Sequence, residues 1–349
     1  MSGTHFHPLR VSQVQPEGDD ALVLAFDVPA ALQEAFVFEP GQYLTLRHGD
    51  DRRSYSICAA AGEVPRVGVR KVPGGVFSCW LHAHAQPGLV LEVMAPQGRF
   101  GAVLKRRPRH VLAVAGGSGI TPILSIIKTL LAADAQARVT LLYGNRRAST
   151  TMFKEELEDL KNRYLTRLVL HPVFSREVMD SPVHAGRLDA QKIATLLRLS
   201  GPVDEAFICG PHAMNDEAEQ ALLAAGLQPQ QIHVERFGLP PGQAAAAVVP
   251  QPGDASTAVI TIVRDGLTRE VPYGAQDSSI LAAAARAGLD VPYSCRSGVC
   301  ATCRAKLKQG QVRMDRNFAL EKDELAAGFV LTCQSHPTTE RVVISFDER

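Results

Sequence analysis

The segment that decides the architecture is Tyr293-Ser-Cys-Arg-Ser-Gly-Val-Cys-Ala-Thr-Cys303. It holds Cys295, Cys300 and Cys303, which are separated by four and by two residues, and Cys333 follows after a further twenty-nine residues. The N-terminus lacks a basic region followed by an apolar one, so we expect a cytoplasmic location. Disulfides are rare in a reducing cytoplasm, and a compact group of thiols there indicates a metal site.

The spacing of these four cysteines is that of plant-type [2Fe–2S] sites. A loop that wraps sulfur and iron needs small residues, so that backbone N–H groups can point inward. The loop supplies them at Ser294, Ser297, Gly298, Ala301 and Thr302. A structural zinc site is the alternative, but zinc favours two short-spaced pairs of ligands. We therefore predict that the four cysteines bind a [2Fe–2S] cluster.

The composition describes an ordinary globular chain. Its 349 residues are enough for two or three domains, and 46% of them are hydrophobic. The net charge of +1, from 37 basic and 36 acidic residues, argues against non-specific nucleic-acid binding. The longest apolar runs are far shorter than the roughly 20 residues that span a bilayer, so we expect no membrane partner.

The chain changes character three times. Residues 1–107 carry short apolar runs between Pro/Gly turns, which predicts an antiparallel β-barrel or sandwich. The predicted strands there are Ala21–Val28, Tyr43–Leu46, Val67–Val72 and Leu89–Met94. Cys58 and Cys79 fit no motif and are expected to be small core residues.

Residues 108–237 alternate buried strands with helices, which predicts a parallel α/β sheet covered on both faces. The predicted strands are His110–Ala115, Arg138–Tyr143, Leu168–Phe174, Glu205–Cys209 and Ile232–Arg236. The predicted helices are Pro122–Ala133, Met152–Tyr164, Asp189–Leu199 and Met214–Ala225.

Residues 238–257 have the composition of a linker, with four prolines, three glycines and no Lys or Arg. An ordered surface loop is the alternative. Residues 258–349 form a small α+β unit, in which Ala258–Arg264 and Thr268–Pro272 flank an Asp-Gly hairpin turn and a helix covers Ile280–Ala287.

A glycine loop, Val114-Ala-Gly-Gly-Ser-Gly-Ile-Thr-Pro122, joins a predicted strand to a predicted helix. Glycines at Gly116, Gly117 and Gly119, with Ser118 between them, let the backbone approach a pyrophosphate at the start of the helix. We expect Thr121 to be the N-cap and Pro122 the first helical residue. Because Pro122 replaces the third glycine of the dinucleotide fingerprint, a plain turn remains the alternative.

Three further motifs give the glycine loop its context. They are Arg53-Ser-Tyr-Ser56, Gly74-Gly-Val-Phe-Ser78 and Cys209-Gly-Pro211. In this order the set resembles the ferredoxin–NADP reductase superfamily over residues 5–237. Residues 258–349 resemble a plant-type ferredoxin domain, which implies a β-grasp fold.

The resemblance implies a role for each motif. Arg53 would neutralise the pyrophosphate of a flavin, Tyr55 would stack on its ring, and Ser56 would hydrogen-bond near its N5 edge. The flavin phosphates would be lined by Gly74, Gly75 and Ser78, and the nicotinamide would be approached by Cys209, Gly210 and Pro211. FAD is the expected flavin, although FMN-using relatives share the Arg-x-Tyr-Ser pattern. No separate acid–base pair or nucleophile is required, so the residues expected to act at the reacting rings are Tyr55, Ser56 and Cys209.

The choice of nicotinamide depends on the groups around the ribose 2′-position. No acid follows the strand that ends at Tyr143, where Arg146 and Arg147 stand instead. Ser175-Arg176 after the next strand resembles the Ser-Arg pair of NADP-using relatives, and Arg suits a phosphate. These features favour NADPH, and surface arginines without a ligand are the alternative.

A hydride carries two electrons, and an iron–sulfur cluster accepts one at a time, so a flavin has to stand between nicotinamide and cluster. The closing segment, Met314-Asp-Arg-Asn-Phe-Ala-Leu320 with Gly328-Phe-Val-Leu-Thr-Cys-Gln334, resembles the reductases of multicomponent oxygenases that epoxidise phenylacetyl-CoA. The resemblance implies electron delivery to a di-iron oxygenase. The alternatives are a reductase of a Rieske-type hydroxylase, such as a ketosteroid hydroxylase, and an iron–sulfur redox sensor.

The cluster-bearing part is not acidic, unlike free plant ferredoxins. Residues 258–349 carry 12 basic and 11 acidic residues. Every charged residue between Asp290 and Asp315 is basic. These are Arg296, Arg304, Lys306, Lys308 and Arg313. We expect the electron acceptor to present an acidic patch and salt to slow the encounter. A basic face with no role in docking is the alternative.

Overall fold

The computed structural model describes residues 5–240, 242 and 251–348. These residues form two compact units. One, the reductase unit, comprises His7–Asp51 and Tyr55–Phe237; the other, the cluster unit, comprises residues 5 and 6, Arg52–Ser54 and the described residues from 238 onward. In the described part of the chain, no helix is long and apolar enough to cross a membrane.

The first part of the chain forms a curled antiparallel sheet of six strands. Their order is β4-β3-β6-β1-β2-β5, and an antiparallel bridge between Ile57 and Val67 joins the segment after β4 to β5. The sheet encloses a core of alternating apolar side chains, among them Leu24, Phe26 and Leu44, none of which is exposed. The strands are β1 (Phe6–Glu17), β2 (Ala21–Asp27), β3 (Tyr43–His48), β4 (Asp51–Ser56), β5 (Arg66–Arg70) and β6 (Val90–Gln97).

Strands β1 and β4 and helix α1 are absent from the prediction. Strand β1 is long but buries little beyond Leu9 and Val11, so its apolar signal is weak. Helix α1 (Val76–His84) begins directly after the Gly74-Gly75 turn, where we expected only loop and strand. Cys58 lies fully in the core, as predicted. Cys79 on α1 is only half-buried, so the prediction that it is a core residue is wrong.

The second part of the reductase unit is the predicted parallel α/β sheet. Its strand order is β11-β10-β7-β8-β9, and all four pairings are parallel. The strands are β7 (His110–Gly116), β8 (Arg138–Asn145), β9 (Leu168–Phe174), β10 (Glu205–Gly210) and β11 (Ile232–Arg236). The helices are α2 (Ile120–Ala133), α3 (Lys154–Tyr164), α4 (Ala190–Ser200) and α5 (His212–Ala224).

The cluster unit is built on a mixed five-stranded sheet of order β13-β12-β18-β14-β16, with a two-stranded ribbon β15-β17. The predicted hairpin and helix are present, each within one residue of the expected bounds. The strands are β12 (Ala258–Arg264), β13 (Leu267–Tyr273), β14 (Arg304–Gln309), β15 (Val312–Met314), β16 (Phe329–Leu331), β17 (Ser335–Pro337) and β18 (Arg341–Ser345). The helices are α6 (Ile280–Arg286) and α7 (Lys322–Ala326).

Part of the predicted linker lies outside the described residues, namely 241 and 243–250. The residues that follow are tied into the cluster unit. Asp254 accepts two hydrogen bonds of 2.8 Å from Arg313, and the Ala255 N–H donates to the Pro337 carbonyl. The Arg313 guanidinium lowers the pKa of Asp254 to about 2, so this ion pair persists at neutral pH.

Candidate functional site

The glycine loop and the Cys-Gly-Pro loop meet at the carboxyl edge of the parallel sheet. Strands β7 and β10 are neighbours, and Cys209 pairs with Ala115. A Cβ built on Gly119 would lie 2.0 Å from the Cys209 carbonyl oxygen, and one built on Gly116 would lie 2.7 Å from Pro211 Cδ. The two loops therefore pack backbone to backbone, which only glycine permits at these positions.

The start of helix α2 differs from the prediction. A single 3₁₀ turn, Gly117–Gly119, precedes the helix, which begins at Ile120 with Gly119 as the N-cap. Thr121 lies inside the first turn and donates its hydroxyl to the Ser118 carbonyl at 3.0 Å. The expectation that Thr121 is the N-cap and Pro122 the first helical residue is therefore wrong, because the tight turn starts the helix earlier.

This glycine turn is fixed in a conformation that suits an anion. Gly117 has a φ of +54°, and its carbonyl accepts a hydrogen bond of 3.0 Å from the Tyr143 hydroxyl. Burial raises the pKa of Tyr143, so the hydroxyl keeps its proton and the bond persists. The 14-residue helix α2 follows, with no side chain capping its first N–H groups. The Ile120 N–H bonds to the Gly117 and Ser118 carbonyls, and the positive end of the helix dipole at this turn favours a phosphate.

Ser56 and Cys209 come together around a residue that no sequence motif indicated, Glu235. The Ser56 hydroxyl donates to Glu235 Oε2 at 3.2 Å, and Glu235 pairs with Cys209 across neighbouring parallel strands. Asn215 on α5 donates its side-chain amide to the Glu235 carbonyl at 3.2 Å. The signal in the sequence was an acidic residue inside a predicted strand, next to the strand that ends at Cys209.

The surroundings of Glu235 alter its acidity. Burial raises the pKa of Glu235 to about 8, and the hydrogen bond from Ser56 opposes that rise. Burial also raises the pKa of the Cys209 thiol well above its usual range, and the nearby Glu235 adds to the effect. Cys209 is therefore a neutral thiol and not a thiolate nucleophile.

The predicted flavin residues lie on β4 and at the start of α1. The Tyr55 ring is 6.1 Å from the Phe77 ring, centroid to centroid, and Phe77 is on α1 just after Gly75, its N-cap. Ser78 is buried and its hydroxyl accepts a hydrogen bond of 3.1 Å from the Val72 N–H, which holds the Gly74-Gly75 turn. Arg53 is exposed and donates to the Arg52 carbonyl at 2.7 Å.

The predicted 2′-phosphate residues stand together at the ends of β8 and β9. The Ser175 N–H donates to the Asn145 carbonyl and the Arg176 N–H donates to the Arg146 carbonyl, both at 2.9 Å. Ser175 and both arginines are exposed. One acidic residue, Glu177, also lies near these strand ends. Its carboxylate accepts a hydrogen bond of 2.8 Å from the Ala148 N–H.

The four clustered cysteines meet as two pairs of thiols. Hydrogen bonding joins the side chains of Cys295 and Cys300, and likewise those of Cys303 and Cys333. Among the described residues, no three His, Cys, Asp or Glu side chains are placed to hold a single metal ion. Two thiol pairs fit a [2Fe–2S] cluster, in which each iron takes two thiolates, better than they fit one zinc ion.

Backbone N–H groups point at the thiols, as the small residues of the loop predicted. The Ser297 N–H donates to Cys295 Sγ at 3.4 Å, and the Gly298 backbone hydrogen-bonds Cys333. Hydrogen bonds from Cys300, Ser297 and the backbone lower the pKa of Cys295. Such donors stabilise the thiolate that a cluster requires.

The conformation of the loop is strained. Arg296 and Ala301 have φ values of +54° and +55°, a region that residues with a side chain rarely adopt. Gly298 has a φ of +80°, and a Cβ there would lie 3.1 Å from the Arg316 carbonyl oxygen. Strain of this kind collects at ligand-holding loops, where the surrounding structure enforces it.

Most cations of the cluster unit are already engaged within it. Arg304 pairs with Glu324, Lys308 with Glu348, and Arg313 with Asp254 and Asp315. The Lys306 ammonium donates to the Ala327 carbonyl. Arg296 is exposed, and its guanidinium lies 4.4 Å from the centroid of the Tyr293 ring.

Comparison with known proteins identifies both parts of the chain. A family model for a 2Fe-2S iron-sulfur cluster binding domain matches residues 262–338, and one for an oxidoreductase NAD-binding domain matches residues 113–220. The chain is 46% identical to a subunit of the 1,2-phenylacetyl-CoA epoxidase of Escherichia coli K12, over 99% of both chains. It is 35% identical to the ferredoxin reductase component of 3-ketosteroid-9-alpha-monooxygenase of Mycobacterium tuberculosis, over 99% of this chain and 97% of that one.

The fold matches a solved reductase of the same modular type. Phthalate dioxygenase reductase, described as a modular structure for electron transfer from pyridine nucleotides to [2Fe–2S], superimposes with a TM-score of 0.62 at 25% identity. The match covers 97% of this chain and 98% of that one. The cofactors are FAD, a pyridine nucleotide and a [2Fe–2S] cluster, and the chain is an NAD(P)H-dependent oxidoreductase that transfers electrons to its cluster. It belongs to the family of oxygenase reductases that contains the 1,2-phenylacetyl-CoA epoxidase component of Escherichia coli and the ferredoxin reductase components of 3-ketosteroid-9-alpha-monooxygenases.

Proposed function

We propose that this chain is the reductase of a multicomponent phenylacetyl-CoA epoxidase, passing electrons from NADPH through FAD and the [2Fe–2S] cluster to a di-iron oxygenase. The observation that carries the proposal is the 46% identity to a component of such an epoxidase over 99% of both chains. The cofactors supply the conversion of one hydride into two single electrons. The protein supplies binding, orientation and electrostatics.

In this proposal the flavin is held by β4 and by the turn before α1. Arg53 neutralises the pyrophosphate, Tyr55 stacks on the ring, and Gly74, Gly75 and Ser78 line the phosphates. The positive end of α1 supports the last role, because Gly75 caps that helix without a side-chain bond. Ser56 presents its hydroxyl to the N5 edge, and Glu235 holds that hydroxyl in place.

The nicotinamide is bound along the carboxyl edge of the parallel sheet. Its pyrophosphate lies against the loop of Gly116, Gly117, Ser118 and Gly119 and the first turn of α2, which includes Thr121 and Pro122. Its reactive ring approaches Cys209, Gly210 and Pro211. The close packing between Gly119 and the Cys209 carbonyl supports one shared site for both loops.

NADPH is the proposed donor. The backbone bond between Arg176 and Arg146 places two exposed guanidinium groups at neighbouring strand ends, and each can donate to a phosphate. Glu177 in the same corner favours the rival donor, NADH, but its carboxylate is engaged with the Ala148 N–H.

The cluster is proposed to be bound by Cys295, Cys300, Cys303 and Cys333. The pairing of their thiols and the N–H groups directed at Cys295 support this assignment. The acceptor is proposed to carry acidic groups that meet Arg296. Because four of the five expected cations are engaged inside the cluster unit, the docking charge is smaller than the sequence suggested.

A second candidate partner is a ketosteroid hydroxylase. The relatives named as 3-ketosteroid-9-alpha-monooxygenase reductase components are 33–36% identical over 97–99% of this chain. A redox sensor is less favoured, because the chain carries both flavin and nucleotide motifs.

The test is reconstitution with each oxygenase. Purified chain, NADPH and a phenylacetyl-CoA epoxidase oxygenase should consume phenylacetyl-CoA with stoichiometric NADPH oxidation. The same chain with a ketosteroid hydroxylase should turn over at least about tenfold more slowly. Equal or faster turnover with the hydroxylase would overturn the assignment of the partner, and failure of NADPH or NADH to bleach the flavin would overturn the pathway.

A further inference from the structure

Arg52 is a buried cation within the cluster unit, and none of the motifs above includes it. Only 8% of the residue is exposed. Arginine is rarely buried to this degree unless its charge is compensated, because removing a guanidinium from water is costly. The partners of the Arg52 guanidinium therefore indicate why this side chain is buried.

One contact is with the Phe6 ring, whose centroid lies 5.1 Å from the guanidinium carbon. The other partners lie just before the first cluster thiol. Arg52 Nη2 donates to Asp290 Oδ1 at 2.6 Å, and Nη1 donates to the Val291 carbonyl at 3.4 Å. The guanidinium carbon lies 3.9 Å from the centroid of the Tyr293 ring, a distance typical of a strong cation–π contact. One side chain thus holds the peptide 290–293, two residues before Cys295.

A second residue of the same strand contacts the other end of the thiol loop. The Ser54 hydroxyl lies 3.3 Å from the Thr302 hydroxyl, and Thr302 stands between Cys300 and Cys303. Side chains alternate between the two faces of a strand, so Arg52 and Ser54 leave the chain on the same face. Arg52 and Ser54, both of the cluster unit, therefore contact residues on either side of the first two thiols.

We propose that Arg52 is a positioning residue for electron transfer into the [2Fe–2S] cluster. It fixes the peptide that leads into Cys295, and this role rests on the proposed electron pathway. In the step concerned, one electron leaves the flavin that the nicotinamide has reduced, and one ferric ion of the cluster becomes ferrous. Arg52 takes no part in the hydride step.

The kinetic test separates these two steps in the full-length holoprotein. In stopped-flow mixing with NADPH, R52Q should bleach the flavin at the wild-type rate and reduce the cluster about 10-fold more slowly, as is typical when a supporting contact of a metal site is lost. D290N should slow cluster reduction by a smaller factor, because it leaves the contact with Tyr293. R52K should lie between R52Q and wild type, since lysine keeps the charge but not the planar fork.

The matched control is R10Q, which breaks an exposed arginine–aspartate pair of 3.1 Å between Arg10 and Asp27 in the reductase unit. It should leave both rates unchanged. Wild-type rates of cluster reduction in R52Q and D290N would overturn the proposal. An equal loss of both rates in R52Q would also overturn it, because that result assigns Arg52 to flavin binding.

A structural readout does not depend on turnover. Hydrogen exchange of the oxidised holoprotein should be faster in R52Q than in wild type for peptides covering residues 288–303, and unchanged there in R10Q. Unchanged exchange in R52Q would overturn the proposal. If R52Q binds less iron than wild type, the rate of cluster reduction in D290N, divided by the amount of bound cluster, decides the question. A rate below that of wild type supports the proposal, and a rate equal to it overturns the proposal.

Failure of the proposed pathway gives a different pattern. A wild-type cluster that neither nicotinamide reduces would refute the pathway itself. The exchange of residues 288–303 would still report whether Arg52 holds the loop.

Discussion

At the residue scale, the contact between Ser56 and Glu235 was not expected. The sequence assigns Ser56 a role through its motif and shows Glu235 only as part of a strand. The structure joins them at 3.2 Å and places Cys209 in register beside Glu235. A carboxyl group with a pKa of about 8 is protonated at neutral pH, so this acid can donate as well as accept a hydrogen bond.

This acidity predicts a pH dependence for flavin reduction. As the pH rises through about 8, Glu235 loses its proton, and a negative charge forms beside Ser56. Hydride transfer adds electrons to the flavin ring, which Ser56 is proposed to contact, so a negative charge there should disfavour the transfer. The rate of flavin bleaching by NADPH should therefore fall above that pH. In E235Q, which stays neutral, the fall should disappear; stopped-flow absorbance from pH 6 to 9 measures it.

The control for this prediction is E34Q, which alters an exposed carboxylate in the segment after β2. It should keep the wild-type profile. An inflection near pH 8 that persists in E235Q would contradict the assignment of the group.

A second prediction at this scale concerns Gly119. An added methyl group would lie 2.0 Å from the Cys209 carbonyl oxygen and 2.8 Å from the Gly210 nitrogen, both backbone atoms that cannot move alone. G119A should therefore lower the free energy of unfolding by at least about 2 kcal/mol and weaken nucleotide binding. Thermal unfolding of the holoprotein and titration with NADP⁺ measure the two effects.

G274A is the comparison variant. The nearest atoms to its methyl group belong to the end of the flexible Gln276 side chain, at 2.8 Å, so we expect a loss below about 1 kcal/mol. Equal losses in both variants would show that the packing of the two loops is looser than the structure indicates.

At the element scale, the ends of β8 and β9 determine the choice of nicotinamide. R176A should raise the KM for NADPH about 10-fold or more, as is typical for loss of a charge-assisted bond, and change the KM for NADH by less than a factor of two. Steady-state reduction of a soluble dye with each donor provides the measurement. R198A, which removes an exposed arginine on α4, should change neither value. A wild-type chain that prefers NADH would contradict the assignment.

Helix α3 is joined to the curled sheet and to α2 by one acid. Glu156 accepts from Arg66 on β5 at 3.0 Å and from Lys128 on α2 at 2.8 Å, and all three side chains are less than a third exposed. E156Q should cost about 1–3 kcal/mol of stability, because it leaves two half-buried cations without their shared partner. Urea unfolding of the reductase unit within the full chain, followed by flavin fluorescence, measures the loss.

The same helix offers the control. Glu158 pairs with Lys154 at 3.0 Å, but both side chains are about half exposed. E158Q should therefore cost no more than about 0.5 kcal/mol. If E156Q is no more costly than E158Q, the ion pairs at this junction contribute nothing beyond an ordinary surface pair.

At the scale of the whole molecule, the net charge of +1 conceals an uneven placement of charge. Most cations of the cluster unit bind acids or carbonyls of that unit, and Arg296 stays exposed beside Cys295. R296Q should slow reduction of the oxygenase by a factor of about 2–10 at low salt, and the difference should shrink as salt screens the encounter. The rate of acceptor reduction against ionic strength measures it.

R269Q removes the same charge from an exposed position on β13, in the same unit, and should leave the rate unchanged. If the rate of acceptor reduction by the wild type does not change with ionic strength, electrostatic docking is contradicted. If both variants slow the reaction equally, the total charge of the unit controls the rate and Arg296 has no specific role in docking.

The sequence by itself determined the class of the chain, the order of its cofactors and the β/α pattern of its nucleotide-binding part. Those properties depend on spacing within short segments, such as the thiols of residues 295–303, and on runs of apolar residues, such as Leu168–Phe174, whose bounds were predicted correctly. Local spacing and hydrophobic pattern are visible in one dimension. The start of α2 was predicted wrongly because it depends on how tightly the glycine turn winds before the helix.

Only the tertiary structure decided which distant residues share a site. Ser56 and Glu235 are 179 residues apart, and Arg52 and Asp290 are 238 apart. Glu235 shows no periodicity that would mark it, and Arg52 looks like one more cation beside Arg53. Their chemistry arises from burial and from partners contributed by other segments, and the folded backbone alone brings these together.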